Sequence, residues 1–194
     1  MNIDLYFLRS FEQNIATELL SYAFGFDDNP LELDTYPSLR IYDRFYGLSR
    51  TDVGVYAMVD NKIAGGAWVR LLKGDAKGQG KGYAYLDDET PELILAVKPE
   101  FRNLGLATKI MEQLLTEVSQ SFDQISLSLP VDSQALAFFE RLGFTQLSNT
   151  LSKHDFFQKD ASIMIKKLQK PTQSHADDDW YKHTQKWRNP NQHT

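Results

Sequence analysis

The positions of apolar side chains predict a strand and a helix at the start of the chain. Residues 3–8 are apolar and aromatic and predict a short strand. Ser10 can cap a helix that extends to about Ala23, since a serine oxygen accepts from the free N–H groups of a first helical turn. The apolar positions of this helix are Phe11, Ile15, Leu19 and Leu20.

The next part of the chain changes from turn-forming residues to a hairpin. Residues 24–37 are rich in Gly, Asp, Asn and Pro, a composition typical of a loop. Residues 38–48 predict a second helix. Residues 53–59 and 63–72 predict two strands of a β-hairpin, joined by a turn at residues 60–62.

The second half of the chain alternates between apolar runs and helical patterns. Residues 93–97 predict a strand, which is followed by a helix with one apolar stripe. That stripe consists of Ile110, Met111, Leu114, Leu115 and Val118. Residues 125–129 predict another strand, residues 133–142 a helix and residues 161–168 a last strand. The pattern therefore predicts one α/β domain over residues 1–170.

Residues 171–194 form a polar segment without apolar periodicity, which we interpret as a C-terminal tail. Its aromatic residues are Trp180, Tyr181 and Trp187. They could dock on this subunit or on a second one, so a homodimer is possible.

Composition narrows the function classes. The net charge of −5 argues against nucleic acid as a partner, and no apolar run approaches the roughly 20 residues that span a bilayer. The first residues lack the basic start of a signal peptide, so we expect a cytoplasmic protein without a membrane partner. The absence of cysteine excludes disulfides, thiolate metal sites and a cysteine nucleophile. The four histidines lack ligand spacing, so no metal is expected.

The most specific feature is the segment from Leu93 to Thr108, an apolar strand that turns into a helix through Arg102, Gly105 and Ala107. The first N–H groups of a helix have no internal partner and carry partial positive charge, so they can bind a pyrophosphate. Gly105 would let the backbone approach that phosphate closely, and Arg102 would add a cation. Arg102 could instead pair with a neighbouring carboxylate.

This segment resembles the acyl-CoA loop of the GNAT superfamily of N-acyltransferases, which reads Val-x-Pro-x-Tyr/Phe-Arg-x-x-Gly-x-Gly/Ala. Here the motif runs from Val97 to Ala107. Residues 135–144 resemble a second block, the family's late helix that leads into Gly-Phe and a strand. The resemblance implies a mixed, mostly antiparallel central sheet with helices on both faces.

The resemblance also implies acetyl-CoA as the acyl donor and a set of cofactor-binding residues. In the family, the strand before the loop splays from its neighbour, and the pantetheine arm bonds to the exposed backbone. A backbone N–H there can hold the developing oxyanion. The residues that match are Leu95, Ala96, Val97, Arg102, Asn103, Leu104, Gly105, Leu106, Ala107 and Thr108. Asp132 and Phe139 also occupy cofactor positions, where relatives often have Asn and Tyr.

Glu92 is the candidate catalytic residue, because amine acylation needs a base if the acceptor is protonated at neutral pH. Strand alternation leaves open which face of the sheet Glu92 takes, and it could instead face solvent or cap the sheet edge. The family selects acceptors with its first helices and their loop. Tyr36, Tyr42, Phe45 and Tyr46 therefore wall the acceptor pocket or pack as core and rim residues.

Phe139 departs from the family, since many members have a tyrosine there that protonates the CoA sulfur. A thiolate with a pKa near ~8.5 leaves tolerably without protonation, so transfer is still expected. We interpret the chain as an N-acetyltransferase that moves an acetyl group to a primary amine, in a small molecule or peptide, by direct attack in a ternary complex. The alternative is a non-catalytic acyl-CoA-binding or sensing module. Residues 74–82 are Gly-rich but lack the Walker spacing, which makes a nucleotide site there a distant third possibility.

Overall fold

The computed structural model describes residues 2–74, 80–154 and 159–170. The strands are β1 (Ile3–Phe7), β2 (Val53–Val59), β3 (Lys62–Arg70), β4 (Glu92–Val97), β5 (Gln124–Pro130), β6 (Thr145–His154) and β7 (Lys159–Lys167). The α-helices are α1 (Gln13–Ala23), α2 (Leu106–Val118) and α3 (Leu136–Arg141). Short 3₁₀ helices cover Ser10–Glu12, Pro30–Thr35, Pro37–Tyr42 and Pro99–Phe101.

The strands form one seven-stranded sheet in the order β1-β2-β3-β4-β5-β7-β6. Neighbouring strands are antiparallel except for β4 and β5, which are parallel. This mixed, mostly antiparallel sheet confirms the predicted fold class. A parallel pair needs a crossover connection, and α2 supplies it between β4 and β5.

Two apolar cores lie on opposite faces of the sheet because successive side chains of a strand point to opposite sides. In β4, Leu93 packs with the buried stripe of α2, whereas Ile94 and Ala96 pack with the buried residues of α1. The α2 stripe is confirmed, with Ile110, Met111, Leu114 and Val118 buried and Leu115 half-buried. Phe139 of α3 belongs to the core on the α2 face.

The predicted helix over residues 38–48 is wrong. Only the 3₁₀ helix Pro37–Tyr42 forms there, and Phe45 then adopts a positive φ of 59°. The buried guanidinium of Arg70 donates hydrogen bonds to the carbonyl oxygens of Ile41, Arg44 and Phe45. In a longer helix the carbonyls of Ile41 and Arg44 would accept from N–H groups four residues later, so the contact with Arg70 competes with that helix.

Two other local predictions need adjustment. Ser10 does not cap α1, because it lies inside the 3₁₀ helix Ser10–Glu12, where the Glu12 carboxylate accepts from the Arg9 N–H at 3.0 Å. The predicted loop over residues 24–37 contains the 3₁₀ helix Pro30–Thr35.

In the described ranges, no helix is long and apolar enough to cross a membrane. The predicted tail, residues 171–194, lies outside the described residues, and residues 75–79 of the Gly-rich loop do so as well.

Candidate active site

The central feature of the site is a gap in the middle of the sheet. β3 and β4 pair along six consecutive residues of each strand, from Gly65↔Val97 to Arg70↔Glu92. β4 and β5 pair only at Glu92↔Ser126, after which the two strands diverge. The divergence leaves an opening in the sheet that begins at Glu92 and widens toward Val97.

The backbone of β4 presents hydrogen-bonding groups to this opening. Lys98 donates its N–H to Ala64 O of β3 at 2.9 Å, and alternate residues of an antiparallel strand point the same way. Ala96 and Ile94 therefore bond toward β3, whereas Leu95 and Val97 direct their N–H and C=O groups into the opening. The Val97 carbonyl accepts from Arg102 Nε at 2.9 Å.

The loop after β4 ends in a helix N-terminus with free donors. Gly105 is the N-cap of α2 with a positive φ of 72°, a conformation that favours glycine. A Cβ built on Gly105 would meet nothing within 4 Å, so the loop is open to a ligand at this point. The first N–H bonded within the helix is that of Lys109, which donates to Gly105 O at 3.3 Å. The earlier N–H groups at this end can therefore bind an anion.

The opening and the loop border one continuous cleft of about 770 Å³. Most predicted cofactor residues line it, namely Leu95, Val97, Arg102, Asn103, Gly105, Leu106, Ala107, Thr108 and Phe139. The structure thus brings the strand edge, the loop that the sequence predicts to bind phosphate and the late helix together around a single cavity.

Three predicted cofactor residues do not line the cleft. Ala96 is 2% exposed, with its side chain in the core on the α1 face and its backbone paired with Gly66 of β3. Leu104 lies in the loop with 43% of its surface exposed to solvent. Asp132 is exposed beside the cleft, between the lining residues Pro130 and Ser133. Strand alternation accounts for Ala96, which the sequence pattern did not separate from its neighbours.

Arg102 is held by a carboxylate from the other side of the cleft. Its guanidinium makes a bidentate ion pair with Asp27, with Nη1···Oδ2 at 2.5 Å and Nη2···Oδ1 at 2.7 Å. Asp27 lies in the segment after α1, 75 residues earlier in the chain. The alternative that Arg102 pairs with a carboxylate is therefore observed, although the Asp27 partner is distant in sequence rather than neighbouring.

Glu92 is buried at the base of the opening, with 2% of its surface exposed, and it faces the α1 side of the sheet. Its Oε2 accepts from the Tyr42 hydroxyl and from the Ala84 N–H, both at 2.9 Å. Burial raises the pKa of Glu92, while these donors and the nearby Gly82 amide lower it. Glu92 neither faces solvent nor lines the cleft, so it would act on an acceptor only through an intervening group or water.

Of the two alternatives for the aromatic residues, packing in the core and at its rim agrees with the structure for Tyr36, Tyr42 and Tyr46. Tyr42 and Tyr46 are buried, Phe45 is exposed, and neither these residues nor Tyr36 lines the cleft. Phe139 is 5% exposed and packs edge-on against Phe138 and Phe144 while bordering the cleft. Its ring offers no proton donor.

Sequence reasoning missed one whole wall of the cleft, formed by the end of α1 and the segment after it. The wall consists of Tyr22, Ala23, Phe24, Gly25 and Asp27. These residues match no motif in the sequence. The only signal was that the segment connects α1 to the following element, on the face where an acceptor is expected. Among the described residues, no group of three or more His, Asp and Glu side chains could hold a metal ion.

Comparisons with known proteins agree with this geometry. Residues 55–157 match the family model for the acetyltransferase (GNAT) domain, whereas no curated protein matches the chain. A GNAT-family acetyltransferase from Streptococcus pneumoniae superposes with a TM-score of 0.61 at 15% identity, over 87% of this chain and 100% of that one.

Two further solved structures share the fold. The ribosomal-protein-S18-alanine N-acetyltransferase from Escherichia coli has a TM-score of 0.57 at 16% identity, over 91% of this chain and 99% of that one. YncA from Salmonella typhimurium, solved with its cofactor acetyl-CoA, has a TM-score of 0.60 at 14% identity, over 91% and 100%. Since the family model covers more than half of the chain, the protein belongs to the GNAT acetyltransferase family and is an acyltransferase.

Proposed function

We propose that this acyltransferase moves an acetyl group from acetyl-CoA to a primary amine, by direct attack of the amine on the thioester while both substrates are bound. The observation that carries the proposal is the cleft that joins the β4–β5 opening to the N-terminus of α2. One end offers a strand edge for an extended amide-bearing arm, and the other offers free N–H groups for a pyrophosphate. CoA carries both chemical groups in this order.

On this proposal, the donor binds along the cleft from α2 to the base of the opening. The pyrophosphate lies against the N-terminus of α2, where Gly105 leaves space for its oxygens. The pantetheine amides bond to the inward-facing backbone groups of Leu95 and Val97. The thioester then lies near the point where β4 and β5 part, and a free N–H of β4 stabilises the oxyanion that develops on its carbonyl oxygen.

We assign the removal of the acceptor proton to Glu92. Its buried carboxylate has a raised pKa, and a base works best when its pKa approaches the working pH. Because the carboxylate lies beneath the cleft surface, the proton would pass through water rather than directly from the amine. A carboxylate at this position also favours a cationic amine over a neutral acceptor in the ground state.

Direct transfer is the mechanism that this chain's residues allow most simply. A cysteine-linked acyl-enzyme is excluded, because the sequence contains no cysteine. Holding the amine and the thioester together makes their reaction effectively unimolecular, which lowers the entropic part of the barrier.

A panel of amines tests the proposal. Purified protein would be incubated with acetyl-CoA and, separately, small amines, polyamines, amino acids and peptides with free N-termini, and thiol release would be followed. We expect at least one amine to give acetylated product in equal amount to the thiol released. CoA binding by calorimetry without thiol release from any amine would favour the acyl-CoA-sensing alternative.

A further inference from the structure

If the proposed function holds, the negative charge that develops on the CoA sulfur has to be stabilised or neutralised in the cleft. As the C–S bond breaks, its electron pair moves to sulfur, and a positioned acid speeds this step. The rings of Phe138 and Phe139 border the cleft, and neither can donate a proton. An acid that protonates the sulfur must therefore be another side chain of the cleft.

Few side chains that border the cleft can protonate a thiolate. No lysine or histidine lies among its described lining residues, and Arg102 and Asp27 neutralise each other. Serine, threonine and amide side chains are far too weak as acids. A phenol, with an ordinary pKa of about 10, is the closest match to a thiol. Tyr22 is the only tyrosine among the described residues that line the cleft.

Two contacts of its neighbours place Tyr22 alongside β4. One turn earlier on α1, Glu18 pairs with Lys98, just past the end of β4, at 2.5 Å. Two residues after Tyr22, the ring of Phe24 packs against Tyr42 at 5.6 Å, and the Tyr42 hydroxyl bonds to Glu92 at the start of β4. α1 thus runs antiparallel to β4, and Tyr22 lies between these two ends.

The Tyr22 ring is held by packing, while its hydroxyl has no hydrogen-bond partner among the described residues. The side chain is half-buried and packs against the core on the α1 face, so its ring is held in place. Its hydroxyl makes no hydrogen bond to any described residue, in contrast to those of Tyr42, Tyr46 and Tyr56, each of which has a partner. No structural hydrogen bond to a described residue therefore occupies the Tyr22 hydroxyl, which leaves it available to a ligand in the cleft.

We infer that Tyr22 is the catalytic acid, which donates its phenolic proton to the CoA sulfur from the α1 side of the cleft. The amine lone pair forms the N–C bond, the C–S bond breaks, and its electrons take the proton from Tyr22. The proton that the amine loses reaches solvent through Glu92 and water, and solvent returns one to the phenolate. From the neutral amine, the sum is amine plus acetyl-CoA to amide plus CoA thiol, with no net proton change. A cationic amine first loses one further proton, which is released to solvent.

The test compares wild type with Tyr22→Phe and with the control Tyr6→Phe. Tyr6 is 37% exposed on the edge strand β1, and its hydroxyl also lacks a partner among the described residues, so the control removes a matching group far from the cleft. With acetyl-CoA and the fastest amine of the panel, we expect Tyr22→Phe to lower kcat roughly 10²-fold. The Kd for CoA and the melting temperature should stay near those of wild type, and Tyr6→Phe should be fully active.

A second donor separates proton donation from other roles of the ring. In acetyl-seleno-CoA the leaving selenolate is far less basic than a thiolate and needs no proton. We expect the Tyr22→Phe defect to disappear with this donor. An equal defect with both donors, or no defect with acetyl-CoA, would overturn the assignment of Tyr22. Wild-type protein that releases no CoA with any amine would instead overturn the proposed function, and this inference with it.

Discussion

The two sides of the cleft are built in different ways. The side formed by the loop after β4, α2 and α3 comes from residues 97–108 and 127–141, and its motifs are contiguous in the chain. The opposite wall consists of Tyr22, Ala23, Phe24, Gly25 and Asp27. Its Phe24 packs against Tyr42, which belongs with Ala84 and Glu92 to a buried group outside the cleft lining. These residues come from four separate segments of the chain. The side that we propose for the donor is thus encoded locally, whereas the side that we propose for the acceptor exists only after folding.

The ion pair between Asp27 and Arg102 joins the two sides. Both groups are partly exposed, with 28% and 40% of their side-chain surfaces accessible, so the pair contributes little to stability by itself. Its main consequence is that it connects the two sides of the cleft, because Arg102 belongs to the proposed donor loop and Asp27 to the opposite wall. The difference between the sides suggests that their variants should affect different quantities, namely donor affinity on one side and turnover on the other.

The largest effect is expected from Glu92→Gln on the acceptor side. Glutamine keeps the size of Glu92 and can still accept from Tyr42 and Ala84, but it is not a base. We expect the rate on amines that are protonated at neutral pH to fall about 10²–10⁴-fold, with partial recovery at higher pH as neutral amine becomes available. Steady-state pH–rate profiles measure this, with the exposed Glu89→Gln as control.

The same variant gives a stability readout with a defined sign. Burial raises the pKa of Glu92 above its ordinary 4.5, so its contribution to stability is present at low pH and is lost as the pH rises through the folded-state pKa. Glutamine does not titrate. Glu92→Gln should therefore gain melting temperature relative to wild type as the pH increases above about 4.5. A difference that stays constant from acid to neutral pH, together with an unaltered pH–rate profile, would assign Glu92 a structural role only.

Phe139→Tyr tests the donor side by adding one oxygen to a ring that is 5% exposed. The rings of Phe138 and Phe144 pack edge-on against it, so we expect the new hydroxyl to lack a partner and to cost roughly 1–3 kcal/mol of unfolding free energy. Turnover should not increase. Thermal melts and steady-state rates on this variant measure both quantities. An unchanged melting temperature with faster turnover would show that Phe139 opens to the thioester.

Gly105→Glu is expected to weaken CoA binding about tenfold, or 1.4 kcal/mol, by placing like charge against the pyrophosphate. Gly105→Ala is its control, because alanine carries the same strain at φ 72° but its Cβ meets nothing within 4 Å. Calorimetry with CoA should give clearly weaker binding for the glutamate variant than for the alanine variant. Equal affinity of the folded glutamate variant and wild type would mean that the phosphate does not lie at Gly105.

The smallest effect is expected from removing the predicted tail. Truncation after Lys170 should leave the melting temperature and CoA affinity nearly unchanged, since the composition of residues 171–194 gives little reason to pack. Thermal melts and sedimentation measure this. A loss of several degrees, or a change in oligomeric state, would mean that Trp180, Tyr181 or Trp187 docks on the domain or on a second subunit.

The pattern of the sequence determined most of the order of strands and helices, apart from the helix wrongly predicted over residues 38–48. The mixed sheet and the strand after Phe144 were implied by the family resemblance, which also supplied the proposed cofactor residues. The order of elements and the motifs depend on local signals: the apolar stripe of α2, strand alternation, and a glycine at the positive φ that starts α2. Such signals act within about ten residues, so they are visible without knowing the neighbours in space.

Only the tertiary structure decided the acceptor side. Arg70 ends the helix that residues 38–48 would otherwise favour, because its guanidinium binds three carbonyls of that segment. The direction of Glu92, the pairing of Arg102 with Asp27 and the position of Tyr22 likewise depend on residues tens of positions apart. Burial and long-range pairing set the energies of polar and charged groups, and neither can be predicted from the local pattern of the chain.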